Sequence, residues 1–187
     1  MTGKHVLITG ATNGIGLAAA EALAALGANI CIVGRNETRT KIAAARIRAA
    51  AAKEAAVGAL IADLSSQASV RGLAVEVLSR YPRLDVLINN AGAIYSTRQL
   101  TVDGIELTWA VNHLAPFLLT SLLLDRLKDS APARIITTAS DAHQGAHIPF
   151  EDLQAERSYK GYSPMARPSS QISSSRRNWH EASRVAA

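Results

Sequence analysis

Apolar and polar positions fall into short blocks along the chain. Val6-Leu7-Ile8 is a continuous apolar run bounded by polar residues. A run of this kind reads as a strand buried on both faces, and it predicts a first strand over Lys4–Thr9. Ile15–Leu26 follows as an Ala/Leu helix closed by Gly27. Asn29–Val33 is a second apolar strand, and Gly34-Arg35-Asn36 turns the chain into a long Ala/Arg/Lys helix, Glu37–Ala52. A third strand is expected over Ala56–Ile61, weakened by Gly58. Ser65 is expected to cap a helix that runs to about Arg80, where Tyr81-Pro82 stops it. Leu84–Ile88 makes a fourth strand, broken by Asn89-Asn90-Ala91-Gly92. A helix is expected over Gly104–Lys128, with Pro116 as a kink. Arg134–Thr138 makes a fifth strand, and Asp141–Ser163 reads as loop with a short helical turn.

Strand and helix thus alternate with short links. This predicts an α/β fold, a doubly wound parallel sheet of about five strands with helices on both faces. Residues 1–163 form that domain, and 164–187 form an irregular tail with no apolar period. Ligands of such a sheet bind beyond the carboxyl ends of the strands, where the strand order reverses.

The polar signals fall at those ends. Thr9-Gly10-Ala11-Thr12-Asn13-Gly14-Ile15-Gly16 links the first strand to its helix. Glycines allow a tight turn there, and the unpaired N–H groups of a helix start favour a phosphate. A plain turn into a helix is the other reading. Arg35 and Asn36 follow the second strand, Asp63 and Leu64 the third, Asn89–Gly92 the fourth and Ser140 the fifth.

Composition narrows the classes. The chain has 187 residues, 48% apolar, enough for one sizeable core. The net charge is +5, but Pro164–Ala187 carries four Arg and one Glu, which leaves +2 on the body. A basic tail is not a groove-shaped patch with interleaved aromatics, so no nucleic acid is expected. No membrane segment and no leader are expected. The single Cys31 forms no internal disulfide and suits a reducing, cytoplasmic setting; inside an apolar strand it reads as a core residue. His143 and His147 are four apart, but Gly145 and Pro149 make that stretch a loop, so no metal is expected.

Taken together, T-G-x-x-x-G-I-G and Asn89-Asn90-Ala91-Gly92 resemble the short-chain dehydrogenase/reductase family. The stretch Val111-Asn112-His113-Leu114-Ala115-Pro116-Phe117-Leu118-Leu119-Thr120 resembles its retinol-dehydrogenase-like branch, as do Ser140-x-x-His143 and Phe150-Glu151-Asp152-Leu153. The resemblance implies a Rossmann-like domain that moves a hydride between a nicotinamide cofactor and a small-molecule alcohol, aldehyde or ketone, with a lipophilic substrate suggested by the branch. It implies that Thr9, Gly10, Asn13, Gly14, Ile15 and Gly16 form the pyrophosphate loop. By the same resemblance Asp63 and Leu64 touch the adenine, and Asn89, Ala91 and Gly92 border the cofactor. It gives Asn112 a water in a proton relay, and Ser140 a hydrogen bond to the substrate oxygen. Each also has a local reading: a simple turn for Asn89–Gly92, a satisfied buried amide for Asn112, a strand-end hydroxyl for Ser140.

Arg35 bears on the choice of cofactor. A carboxylate after the second strand would hold a ribose 2′-hydroxyl and repel a 2′-phosphate. This chain has Gly34-Arg35-Asn36 there, and a guanidinium suits a 2′-phosphate. NADP is therefore expected over NAD, with a solvated turn arginine as the other reading.

The family's chemistry also needs a Tyr-x-x-x-Lys pair, and no tyrosine supplies it. Tyr159 is followed four residues later by Ser163, Tyr162 by Ala166, and no Lys follows Lys160. Codons for Pro164 onward, read one base earlier, permit Tyr-Gly-Ser-Ser-Lys-Leu-Ala-Asn-Leu-Leu-Phe-Thr-x-Glu-Leu-Ala-Arg, with Tyr and Lys at that spacing. A frameshift near Ser163 is the expectation, and a divergent tail the alternative. Loss of that helix would remove the family-type oligomer interface beside Gly104–Lys128, expose the fifth strand as an edge, and lower solubility.

Overall fold

In a computed structural model, residues 1–140, 149–157 and 159 are described. Five parallel strands form one sheet: β1 (His5–Thr9), β2 (Asn29–Gly34), β3 (Val57–Ile61), β4 (Val86–Asn89) and β5 (Arg134–Thr137). Their order is β3-β2-β1-β4-β5, so the winding reverses between β1 and β4. Register follows the pleat: Leu7 faces Cys31 on β2 and Leu87 on β4.

Side chains on successive strand residues point to opposite faces, and here both faces are apolar. Val6, Ile8, Ile30, Ile32, Val86 and Ile88 pack against α1 (Gly14–Ala25) and α2 (Glu37–Ala50) through Leu17, Ala20, Ala24, Ala43 and Ile47. Leu7, Cys31, Val33, Leu60 and Leu87 pack on the other side against α3 (Gln67–Arg80) and α5 (Ala115–Asp129) through Val70, Leu73, Val77, Leu119, Leu123 and Leu127. Small alanines bring α1 and α2 close to the sheet. The doubly wound reading holds.

Three local expectations shift. The cap of α3 is Ser66, whose hydroxyl accepts the Ser69 N–H at 3.3 Å. Ser65 lies one residue before that cap, and its N–H and hydroxyl instead donate to Asp63 Oδ1, at 2.9 and 2.8 Å. The helix expected from Gly104 begins at Leu107, because Gly104 has φ +71° and Thr101–Ile105 close a turn. Glu106 starts α4 (Leu107–Trp109) by accepting the Thr108 and Trp109 N–H groups at 2.9 and 2.7 Å. A π-helical turn, Ala110–Leu114, then leads into α5, with Pro116 in its first turn, where a missing N–H costs little. Gly58 serves a neighbour: a Cβ there would lie 2.6 Å from the Tyr81 hydroxyl.

Leu107–Asp129 is long and apolar enough, by length and composition, to cross a membrane, which the sequence reading did not register. Its buried leucines make it the partner of α3 in the core. β5 lies at the sheet edge, with Ile135 and Ile136 38% and 45% exposed.

Away from the carboxyl ends, Asp85 ties the sheet together. Its side chain is 1% exposed. It accepts hydrogen bonds from Lys4 Nζ (2.9 Å), the His5 N–H (2.9 Å), Arg83 Nε (2.9 Å) and Arg83 Nη2 (2.8 Å). Burial opposes its charge, but the bonds from Arg83, Lys4 and His5 outweigh that and hold its carboxyl well below the usual carboxylate range.

Candidate functional site

A cleft of about 560 Å³ opens at the carboxyl ends of the strands. Its floor is the β1–α1 turn: Gly10, Thr12, Asn13, Gly14, Ile15 and Gly16 line it. One side is built by Arg35, Asn36, Arg39, Asp63, Leu64 and Ser65, after β2 and β3. The other is built by Asn90, Ala91, Gly92, Ala93, Tyr95, Val111 and Thr138, after β4 and β5 and on the π turn.

The three glycines in the turn play two different roles. A Cβ on Gly10 would sit 2.6 Å from Ala91 Cα, and one on Gly16 would sit 2.4 Å from Asn90 Nδ2. Both are therefore required for the turn to lie against the Asn89–Gly92 loop. Gly14 has φ +53° and nothing within 4 Å of its Cβ position, so it faces open space. The α1 start has no side-chain cap from Asn13, which leaves its first N–H groups to the cleft. An exposed helix start with partial positive charge is a seat for an anion.

Thr9, Asn89 and Asn112 hold the wall. The buried Thr9 hydroxyl accepts the Asn90 and Ala91 N–H groups, each at 3.1 Å, and lies 3.4 Å from the Ile88 carbonyl. Asn90 Nδ2 donates to the Thr9 and Gly10 carbonyls at 3.1 and 3.2 Å. Buried Asn89 donates from Nδ2 to Thr120 Oγ1 at 3.0 Å. Asn112 is a strut: Oδ1 accepts the Ala93 N–H at 2.9 Å, and Nδ2 donates to the Ala93 carbonyl at 2.8 Å. One lone pair and one hydrogen of that amide remain for a further partner. Ser140 is half-buried just beyond β5, at the same end of the sheet.

The Asn36 side chain caps α2, accepting the Arg39 N–H at 2.9 Å. Asp63 shapes the β3 exit, with Oδ1 bound to Ser65. Arg39, Tyr95 and Thr138 went unselected in the sequence reading. Arg39 could have been found, since it lies four residues after Arg35 at a helix start. Tyr95 comes from an irregular loop, which periodicity does not describe.

Cys31 is buried and lies against Tyr81; burial pushes its thiol up to about 11. It is a core residue. His113 stacks on Trp109 at 4.3 Å between ring centroids, and burial lowers its pKa to about 4. No group of three or more His, Cys, Asp or Glu could hold a metal among the described residues. His143, His147 and the tail 164–187 lie outside the described residues.

A family model, short chain dehydrogenase, matches residues 4–150. The chain belongs to the short chain dehydrogenase family. It is 45% identical over 168 residues to retinol dehydrogenase 14 of Mus musculus, covering 85% of this chain and 50% of that protein. The chain thus spans about half the length of that relative. Among solved structures, the RhlG/NADP active-site complex of Pseudomonas aeruginosa superposes with a TM-score of 0.77 at 29% identity, covering 97% of this chain and 68% of the other. A short-chain dehydrogenase from Sphingobium yanoikuyae in complex with NADPH gives 0.71 at 30% identity, covering 89% and 61%.

Proposed function

We propose that this chain is the cofactor-binding part of an NADP-dependent short-chain oxidoreductase whose substrate is an alcohol or carbonyl compound. The observation that carries the reading is the cleft at the β1/β4 reversal, floored by an uncapped helix start and the open Gly14. When bound, the nicotinamide cofactor supplies or accepts a hydride. The residues present fit it. Gly14 and the α1 N–H groups would seat the pyrophosphate, and Leu64 with Asp63 would border the adenine. Ala91, Gly92 and Ala93 would line the nicotinamide end. Arg35 favours NADP over NAD; solved relatives hold NADP, NADPH and NAD, which supports a nicotinamide cofactor of either kind.

For the chemistry, Ser140 would orient the substrate oxygen, and Asn112 would hold Ala93 in place and a water beside it. The general acid/base and its lysine are missing from the amino acids, because no Tyr-x-x-x-Lys occurs in the chain. Tyr159 is no substitute, since its hydroxyl donates to the Tyr95 carbonyl at 2.9 Å. Loss of a general acid/base costs roughly 10²–10⁴ in rate, so binding without appreciable turnover is the expected behaviour. Retinol is named in a relative, and a lipophilic substrate suits that likeness. A reducing compartment suits the lone thiol.

The test is titration of NADPH into this chain and into a version restored to the other frame from Pro164. Binding by both, with turnover only in the restored chain, supports the reading; absence of NADPH binding by this chain refutes it. The nucleotide sequence after Ser163 tests the frameshift directly: DNA that cannot encode the Tyr-Gly-Ser-Ser-Lys peptide in any frame defeats it.

The non-catalytic alternative, a nucleotide sensor, draws on the same missing pair. It is favoured if the restored chain also binds NADPH without turnover.

A further inference from the structure

The loop after β4 walls one side of the cleft, yet it has no regular structure of its own. Residues 91–95 form neither helix nor strand. Among the described residues, Ala93, Ile94 and Tyr95 make no hydrogen bond from main chain to main chain. Ile94 is 47% exposed, so its side chain is no apolar anchor. Ala93 and Tyr95 nevertheless both line the cleft. Their position is therefore fixed by side chains from elsewhere.

Two side chains do this. Asn112, on the π turn, brackets Ala93 through its N–H and its carbonyl. Tyr159 holds the other end, where its hydroxyl donates to the Tyr95 carbonyl at 2.9 Å. The buried Thr108 hydroxyl lies 3.5 Å from the same phenol oxygen, so the phenol sits between the loop and α4. The chain leading to Tyr159 is itself tied down. Arg98 Nε donates to the Gln154 carbonyl at 3.0 Å, and Gln154 Oε1 accepts the Glu106 N–H at 2.9 Å. Ala155 is buried at φ +51°, a left-handed conformation that an alanine rarely adopts. The Asp152 carboxylate accepts the Glu156 and Arg157 N–H groups at 2.7 and 3.3 Å. Such a conformation persists only where the bonds around it over-determine it.

We propose that Tyr159 is a positioning residue for the nicotinamide end of the cleft, acting through Tyr95. This rests on the cofactor reading above. The phenol reaches the cleft only through the main chain of Tyr95. Without its hydroxyl the Tyr95 carbonyl loses that partner, and the loop stays tied by Asn112 at Ala93 alone. The opposite side of the cleft, built by Arg35, Asp63 and Leu64 after β2 and β3, is left as it was. Loss of the hydroxyl is thus felt by the nicotinamide half of a dinucleotide and not by the adenosine half.

The test uses the full chain and binding alone, so it needs no turnover. Calorimetry gives the affinities of the parent and Tyr159→Phe for NADPH, NADH and ADP-ribose, which carries the adenosine and pyrophosphate but no nicotinamide. Tyr159→Phe keeps the ring and removes one hydrogen bond, so both dinucleotides are expected to weaken about fivefold, with ADP-ribose within about twofold. The fluorescence of bound NADPH, which reports the surroundings of the reduced nicotinamide, is expected to move towards that of free NADPH. Retained ADP-ribose binding shows that the variant is folded. Equal weakening of all three ligands, or dinucleotide affinity and fluorescence both unchanged, overturns the Tyr159 assignment and leaves the cofactor reading standing. Binding of none of the three by the parent overturns both.

Discussion

Replacing Asp85 by Asn tests how far the sheet depends on one buried carboxylate. In the parent, Lys4, Arg83 and the His5 N–H converge on two oxygens that are 1% exposed. The Arg83 guanidinium also donates to the Ser130 carbonyl at 2.9 Å, and the Asp85 carbonyl accepts the Arg134 N–H at 2.8 Å. The network therefore joins β1, β4 and the entry to β5. Breaking a buried ion pair costs about 3–5 kcal/mol when the partner stays buried. Lys4 and Arg83 are 39% and 43% exposed and can rehydrate, which reduces the expected loss to about 2 kcal/mol. That corresponds to a fall of about 1 M in the urea midpoint.

The pH dependence gives the sharper reading. Asp85 has a depressed pKa in the folded chain, so the unfolded chain takes up its proton first as the pH falls. Its contribution is complete well above the unfolded value near 4 and is lost progressively as the pH falls through and below that value. Urea melts of parent and Asp85→Asn at pH 7 and pH 3 should show a gap that shrinks at pH 3. A variant within about 0.5 kcal/mol of the parent at pH 7, or a gap independent of pH, refutes the argument.

Two other outcomes are expected. Gly16→Ala places a Cβ 2.4 Å from Asn90 Nδ2 and 2.7 Å from the Gly10 carbonyl, so it should cost about 1–3 kcal/mol in a urea melt and weaken NADPH binding with it. His113 has its pKa lowered from 6.5 to about 4 by burial, so the unfolded chain binds the proton more readily and stability falls as the pH drops from about 6.5 to 4. The full effect is about 3 kcal/mol, and His113→Phe should flatten that part of a stability-versus-pH curve.

The strand blocks were legible because a sheet buried on both faces needs uninterrupted apolar runs, as in Asn29–Val33. The turn after β1 was legible because Gly10 and Gly16 meet backbone at under 3 Å, where only one residue type fits. What was not legible depends on contacts distant in sequence. Ser65 and Ser66 look alike until Asp63 claims the first. The start of the long helix was missed because Glu106 and Gly104 act through a local turn that an apolar period does not register. Thr9, Asn89 and Asn112 stand out in the sequence through their motifs, which do not show what they bond to. In the fold Thr9 Oγ1 bonds Asn90 and Ala91, Asn89 Nδ2 bonds Thr120, and the Asn112 amide bonds Ala93, so each also holds the cleft wall in place. Arg39 shows the reverse, an ordinary helix charge in sequence that the fold places at the cleft.

The contact of Gly10 and Gly16 with Ala91 and Asn90 joins the loops of β1 and β4, the two strands on either side of the winding reversal. The proposed phosphate seat is thus bolted to the middle of the sheet rather than hung from its surface. Such a seat cannot loosen by loop motion alone; it is lost when the centre of the sheet separates. Nucleotide affinity in this chain would then act as a gauge of the integrity of its core, and a weak dinucleotide signal would report the fraction of molecules that are folded.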